Sequence, residues 1–368
     1  MHAVSGTSYA GFVSQLPGVY TTPPDPNVMF TLDDSGSMLS DAIPDIPGGN
    51  AAGMPTSGAS NALGVNGATW PAMWKAGSDY LSTDYYRSTS AVARYLRSSS
   101  GNPLYYDPKV TYRPWPTAVD DRVLHANADP RAVNVHASDP FNSGYRLDLT
   151  TRVGSSGSSD EDDETRNFWL GTYYVYQGTN PLPLGNPNAA DNTPANFTRY
   201  VIRPGVSFPR AATRSDCSGA IGSASGCTYA EELQNFANWL QYYHSRALMA
   251  KGAAAVAFSR QGSNLRVGLA SLNFPGSVRR PPARFSGASR QGFYTEMYAS
   301  VPSGGTPLRL ALDNVGRYFQ RTGAGNPWAE DPTAGSVGRE YTCRRSFHIL
   351  STDGFWNGAN ATAPASGD

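Results

Sequence analysis

The chain has 368 residues, with 29 Lys+Arg balanced by 29 Asp+Glu, 39% apolar residues and 11% aromatics. The charge balance leaves no net field to draw the protein onto nucleic acid or anionic lipid, and no stretch approaches the ~20 apolar residues of a membrane span. The apolar content excludes disorder throughout, while 38 glycines and 28 prolines point to long, punctuated loops on a folded core.

Met1 to Pro17 has neither a basic start nor an apolar run, so it is not an intact secretory signal; either the chain stays inside the cell or a signal has been removed. The first clear element is Asn27-Val-Met-Phe-Thr-Leu32, a short apolar run behind the proline-rich Pro23-Pro-Asp-Pro26. Bounded by turn residues, it reads as a strand buried on both faces, and Asp33-Asp-Ser-Gly-Ser-Met38 follows at its C-terminal end. That is where ligands bind in open α/β sheets.

Residues 39–227 are loose in pattern, rich in Gly, Ser, Pro, Asn and Tyr. Tyr105 to Trp115 (YYDPKVTYRPW) and Phe168 to Tyr176 (FWLGTYYVY) read as strands, and Ser90 to Leu96 as a helix. The acidic run Asp160-Glu-Asp-Asp-Glu164 reads as a solvated loop. Cys217 and Cys227 lie ten residues apart in a Gly/Ser-rich loop and could close a local disulfide in an oxidising compartment; two free thiols are the alternative. Cys343 could pair with either, or with a segment outside this chain.

Order returns at Thr228. Thr228-Tyr-Ala-Glu231 fits a capping box, and Leu233, Phe236, Leu240, Tyr243, Ala247, Ala254 and Phe258 trace one helical face. Gly252 within it costs about 1 kcal/mol relative to Ala, which predicts a kink or a close packing contact there. Leu265 to Leu272 reads as a strand and Phe293 to Tyr298 as a short helix. Thr306 to Phe319 reads as another helix, with Thr306 as N-cap and Pro307 in the first turn. Phe347-His-Ile-Leu350 is the last apolar strand and runs into Ser351-Thr-Asp-Gly354. His348 inside it reads as a satisfied core residue.

Three clusters carry chemistry: Asp33-x-Ser35-x-Ser37 after one strand, Gly304-Gly-Thr306 at a helix start, and Thr352-Asp-Gly354 after another strand. Singly, each is explained as a turn or a cap. Together, and with two of them directly after apolar strands, they supply hard oxygen ligands of low total charge. Such a set suits Mg²⁺, which takes six oxygens at about 2.1 Å and keeps waters. Catalysis is the poorer expectation: Asp-Ser-Gly-Ser is not a nucleophile elbow, no histidine has a triad context, and no HExxH or P-loop occurs.

The trio resembles the metal-ion-dependent adhesion site of von Willebrand factor type A (VWA) domains, Asp-x-Ser-x-Ser, then Thr, then Asp. The resemblance implies a doubly wound, mostly parallel α/β sheet, and a divalent cation (Mg²⁺ first, Mn²⁺ or Ca²⁺ as alternatives) held by Asp33, Ser35, Ser37, Thr306 and Asp353. The flanks Pro26 to Met38, Asn102 to Trp115, Leu233 to Trp239 and Phe347 to Trp356 are similar to the PilY1/PilC family of type IV pilus tip adhesins. From that family follow export to the pilus tip, cell surface, outer membrane or periplasm, and roles in adhesion, pilus biogenesis and surface sensing. Minor pilins and a carboxylate-bearing host or surface ligand are the implied partners, with neither nucleic acid nor a membrane span. The implied organisation is an N-terminal extension (1–26), the first VWA strand and metal loop (27–38), an inserted mixed α+β subdomain (39–227), and the remainder of the VWA domain (228–368). The later strands of the VWA sheet and the β-propeller domain of the family have no counterpart here. Peptide mapping of protein taken from an oxidising compartment should recover Cys217 and Cys227 in one linked fragment; two alkylated free thiols would refute the bridge.

Overall fold

The computed structural model describes residues 23–43, 91–119, 122–142, 144, 146–154, 167–186, 189–332, 338–354 and 356–361. Most of the N-terminal extension and the acidic run Asp160–Glu164 lie outside the described residues. In chain order come β1 (Asn27–Leu32), α1 (Ala91–Leu96), β2 (Val133–Asn134), β3 (Arg146–Leu147), β4 (Val153–Gly154), β5 (Asn167–Phe168), β6 (Thr172–Tyr176) and β7 (Phe197–Val201). They are followed by α2 (Tyr229–Tyr242), α3 (Arg246–Ser259), β8 (Arg266–Ser271), β9 (Val278–Arg284), α4 (Gly287–Ala299), α5 (Leu308–Phe319) and β10 (Ser346–Ser351).

The main sheet has four strands in the order β10-β1-β8-β9. β1 pairs in parallel with both neighbours, Asn27 opposite Arg266 and Ser346, and β9 closes the far edge antiparallel. The alternation of β1 explains the layers above and below it. Phe30 and Leu32 enter one core with Leu248, Ala255 and Phe258 of α3, Val267 and Leu269 of β8, and Phe293 and Met297 of α4. Met29 points the other way and packs with Ala270, Val315 and Tyr318, which brings α5 onto the opposite face. Helices therefore cover both faces of a mostly parallel sheet, an α/β arrangement. Each large side chain such as Phe258, with Phe30 edge-on at 5.4 Å, stabilises the layer by roughly 1.5–3 kcal/mol through burial.

A second core forms around α2. Leu233, Phe236, Trp239 and Leu240 pack with Tyr95, Tyr105, Tyr106, Tyr173, Ile202 and Phe208. Glu232, fully buried on α2, accepts hydrogen bonds from Tyr106 Oη (2.9 Å), Tyr173 Oη (2.8 Å) and Arg214 Nη1 (2.9 Å). Burial lifts its carboxyl above the usual range, and the Arg214 guanidinium opposes that lift. Small antiparallel pairs, β2-β3, β4-β5 and β6-β7, surround this core. Cys217 and Cys227 are joined by a disulfide, and Cys343 is free and exposed.

Several sequence expectations need correction. Tyr105 to Trp115 is loop, not strand, because Pro108 and Pro114 interrupt it and its backbone groups bond to side chains instead. Tyr112 N donates to Asn235 Oδ1 (2.7 Å), while Asn238 Nδ2 donates to Tyr112 O (3.0 Å) and Asn235 Nδ2 to Val110 O (2.9 Å). Phe168 to Tyr176 is split at Gly171, whose carbonyl accepts from Ile202 N (2.7 Å). The capping box is present, Thr228 Oγ1 accepting from Glu231 N and Glu231 Oε2 from Thr228 N. Its helix stops at Tyr242, however, and Ser245 caps a new one by accepting from Leu248 N (3.1 Å). The face read as one helix from Leu233 to Phe258 is thus divided between α2 and α3, and α3 packs on the sheet. Thr306 is not an N-cap: Asn357 accepts from its N–H and donates to its carbonyl, which leaves Pro307 at the helix boundary.

Gly252 lies within α3 at a close approach rather than a kink. A Cβ there would sit 2.6 Å from Trp115 Nε1, and that buried indole is itself fixed by donating to Tyr242 O at 2.9 Å. Gly252→Ala should therefore destabilise the protein by about 1–3 kcal/mol despite the better helix propensity of Ala. Urea denaturation checks this; an unchanged or higher midpoint would contradict the packing described.

Candidate metal centre

Parallel pairing of β1 with β10 continues one residue beyond the strand, since Asp33 N donates to Ser351 O at 3.0 Å. This sets Asp33 beside Thr352 at the C-terminal edge of the sheet. The Asp33 carboxylate is then held at both oxygens: Oδ1 accepts from Ser35 N (2.8 Å), closing an Asx turn, and Oδ2 accepts from the Thr352 hydroxyl (2.7 Å). Ser35 Oγ and Ser37 Oγ lie 3.0 Å apart, and the Ser37 hydroxyl donates to Asp353 Oδ1 at 3.1 Å. Asp33, Ser35, Ser37 and Asp353 therefore meet in one hydrogen-bonded string. Asp33 and Ser35 are buried and Ser37 half-buried.

Thr306 reaches the same edge by another route. Gly36 N donates to Gly304 O (3.1 Å) and Ser303 N to Asp34 O (2.7 Å), stitching the 303–306 loop to the 33–37 loop. Both glycines are required. Gly304 has φ +73°, and a Cβ on Gly305 would lie 2.5 Å from Asn357 Oδ1, the atom that accepts from Thr306 N. Asn273 completes the cradle by donating to Gly305 O at 2.8 Å. Thr306 is buried, and it is these backbone bonds between the two loops that tie it to the string.

Positive charge enters from two arginines that sequence patterns did not single out. Arg246, the first residue of α3, donates from Nη1 to Asp353 Oδ2 at 2.7 Å, with the side chains 5% and 9% exposed. Arg279 of β9 donates to Asp34 Oδ2 at 3.1 Å, and Asn273 N donates to Asp34 Oδ1 at 2.9 Å. Asp34 is thereby committed to fixing the loop. No local signal in the sequence marks Arg246, which lies on the capping turn of a helix far from the motif. His348 is satisfied within the sheet: its Nε2 lies 2.7 Å from Thr31 Oγ1, and burial lowers its pKa.

As a donor set, the edge offers hard oxygens, carboxylates from Asp33 and Asp353 and hydroxyls from Ser35, Ser37 and Thr306. Among the described residues no group of three or more His, Cys, Asp or Glu converges to hold a metal. A cation here would depend on hydroxyls and water for most of its shell, which fits the preference of Mg²⁺ and fits Zn²⁺ poorly.

No family model and no solved structure matches the chain. It is similar to the Type IV pilus biogenesis factor PilY1 of Pseudomonas aeruginosa strain PAK, 27% identical over 363 residues, and to that of strain UCBPP-PA14, 28% identical over 366 residues. Each match takes in 95% of this chain and 25% of the relative's own length, so the similarity to PilY1 runs through nearly the whole of this chain and a quarter of its relatives.

Proposed function

We propose that the chain is a binding module of a type IV pilus adhesin of the PilY1/PilC kind, with a VWA fold whose Asp33, Ser35, Ser37, Thr306 and Asp353 hold a divalent cation. The observation that carries the proposal is the string Asp33, Ser35, Ser37, Asp353 at the C-terminal ends of two adjacent parallel strands, with Thr306 stitched beside it. The cation, Mg²⁺ before Mn²⁺ or Ca²⁺, supplies a Lewis-acid position for a carboxylate oxygen of a host or surface ligand. The chain's residues bind and orient it: Thr352 and Ser35 N fix the Asp33 carboxylate, and Asn357 and Asn273 fix the Thr306 loop. No nucleophile is called for, so the module binds rather than catalyses.

The similarity to PilY1 supports the pilus setting. Export to the pilus tip or cell surface, minor pilins as neighbours, and a β-propeller domain elsewhere in the full protein belong to the same proposal. No described helix is long and apolar enough to cross a membrane. A structural role in pilus assembly, with the cation only ordering the loops, is the alternative, and one observation favours it: Asp34 and Asp353 already carry arginine partners.

Asp33→Ala should weaken Mg²⁺ binding, measured by isothermal titration calorimetry, on the order of 100-fold, and Ser35→Ala, which removes a neutral donor, by about tenfold. Chelation should abolish attachment to surfaces bearing Asp- or Glu-containing peptide while leaving the far-ultraviolet circular dichroism unchanged. Metal binding that survives Asp33→Ala at parental strength would sink the cation site. Parental metal binding without metal-dependent attachment would leave the structural alternative.

A further inference from the structure

Arg246 stands in a position that helix electrostatics does not explain. It opens α3, where the positive end of the helix dipole disfavours a cation, and its guanidinium is nevertheless buried. What compensates it is the C-terminal edge of the sheet. Its Nη1 donates to Asp353 Oδ2 at 2.7 Å, its Nε to Ala42 O at 2.9 Å, and its backbone N to Ser40 O at 2.9 Å. The other oxygen of Asp353 accepts from Ser37 at 3.1 Å. One carboxylate thus bridges the hydroxyl string of the candidate metal centre and a buried guanidinium.

We propose that Arg246 is an internal competitor for the cation site: its guanidinium and a divalent ion draw on the same Asp353 carboxylate, so that Arg246 sets how tightly the metal is held and shifts when the metal arrives. The proposal rests on the cation-site reading above. Like charges on one carboxylate oppose each other, so an arginine on Asp353 weakens metal affinity and keeps binding reversible. The second consequence is transmission. Arg246 also grips Ser40 and Ala42, and the same segment is clamped from the other side by Asn102, which donates to Asp41 O (2.9 Å) and accepts from Ile43 N (3.0 Å). Asn102 further donates to Leu96 O of α1 at 3.2 Å. A shift of Arg246 on metal binding is therefore felt at the entrance to the region between β1 and α2, and the core around Trp239 lies directly behind it.

Mg²⁺ titration of the whole chain tests the competition. Arg246→Gln keeps a donor for Ala42 O and removes the charge; it should bind Mg²⁺ about tenfold more tightly, the scale on which one charge within ~4–6 Å alters a carboxylate's hold on a cation. In an Asp353→Asn background the same substitution should gain little, because the shared carboxylate is gone. A positioning role alone predicts the reverse, weaker metal binding by Arg246→Gln, and that result or an unchanged affinity would overturn the proposal. Should Arg246→Gln fail to fold, the parent protein decides: the ¹⁵N side-chain resonance of Arg246 should move on Mg²⁺ addition and stay still in Asp33→Ala. Metal binding with an unmoved Arg246 resonance would overturn the competition alone, whereas no binding by the parent or by Arg246→Gln would remove the cation site itself.

Discussion

Everything in this structure hangs on the two-sided pairing of β1. A strand buried on both faces and both edges must find a partner for every backbone N–H and C=O, and both partners come from far downstream. At its N-terminal end Asn27 is fully buried, donating to Pro327 O (3.0 Å) and Ser346 Oγ (3.3 Å) and accepting from Arg266 Nε (3.0 Å), so β8 and β10 are drawn in to a fixed register. With the register fixed there, the C-terminal ends are fixed too, and Asp33 falls opposite Ser351 and Thr352. The geometry of the candidate metal centre is a result of this register, because a slip of one residue would send Asp33 to the other side of the sheet.

The core around α2 obeys a different rule. Its loops make few ladders, and buried polar side chains of one helix take over the role of a neighbouring strand. Asn235 and Asn238 hold the 110–112 backbone, Trp239 Nε1 donates to Leu104 O at 2.9 Å, and Glu232 gathers tyrosines from two segments together with Arg214. Such a network is unforgiving, since each unpaired member left in the interior costs about 1–3 kcal/mol. It also explains how so Gly- and Pro-rich a stretch keeps a defined course.

Where the sequence spoke clearly, the cause was a local signal that the tertiary structure reinforces. The apolar runs at Val28, Val267 and Phe347, the Thr228 capping box and the hydroxyl-rich turn after β1 are of that kind. β9 was invisible because Val278-Arg-Arg-Pro-Pro-Ala-Arg284 contains paired prolines, tolerated only because it lies on the sheet edge. Tyr105 to Trp115 looked like a strand because aromatic and β-branched residues favour one, yet the partner proved to be amide side chains of a helix. Asp33, Ser35, Ser37 and Asp353 stand out in the sequence as candidate ligands by type and order, and hydrogen bonds join them in the structure. Arg246 was not legible, since a single arginine after a serine cap carries no pattern, and only the approach of α3 to the end of β10 gives it meaning.

The parallel pairing of β1 with β10 also fixes the order in which the molecule can assemble. Thr352 lies 319 residues from Asp33, so the loop between them must be closed before the two can meet. The aromatic core around α2 uses closer pairs, such as Arg214 with Glu232 at a separation of 18. Chain entropy favours early formation of the near contacts and late formation of the far ones, and parallel pairing is slow for the same reason. A nascent chain would therefore hold a structured aromatic centre while the C-terminal edge of its sheet was still open, and fluorescence from Trp239 would settle ahead of any probe at the strand ends. The C-terminal edge of the sheet is the keystone of this fold, the last stone in.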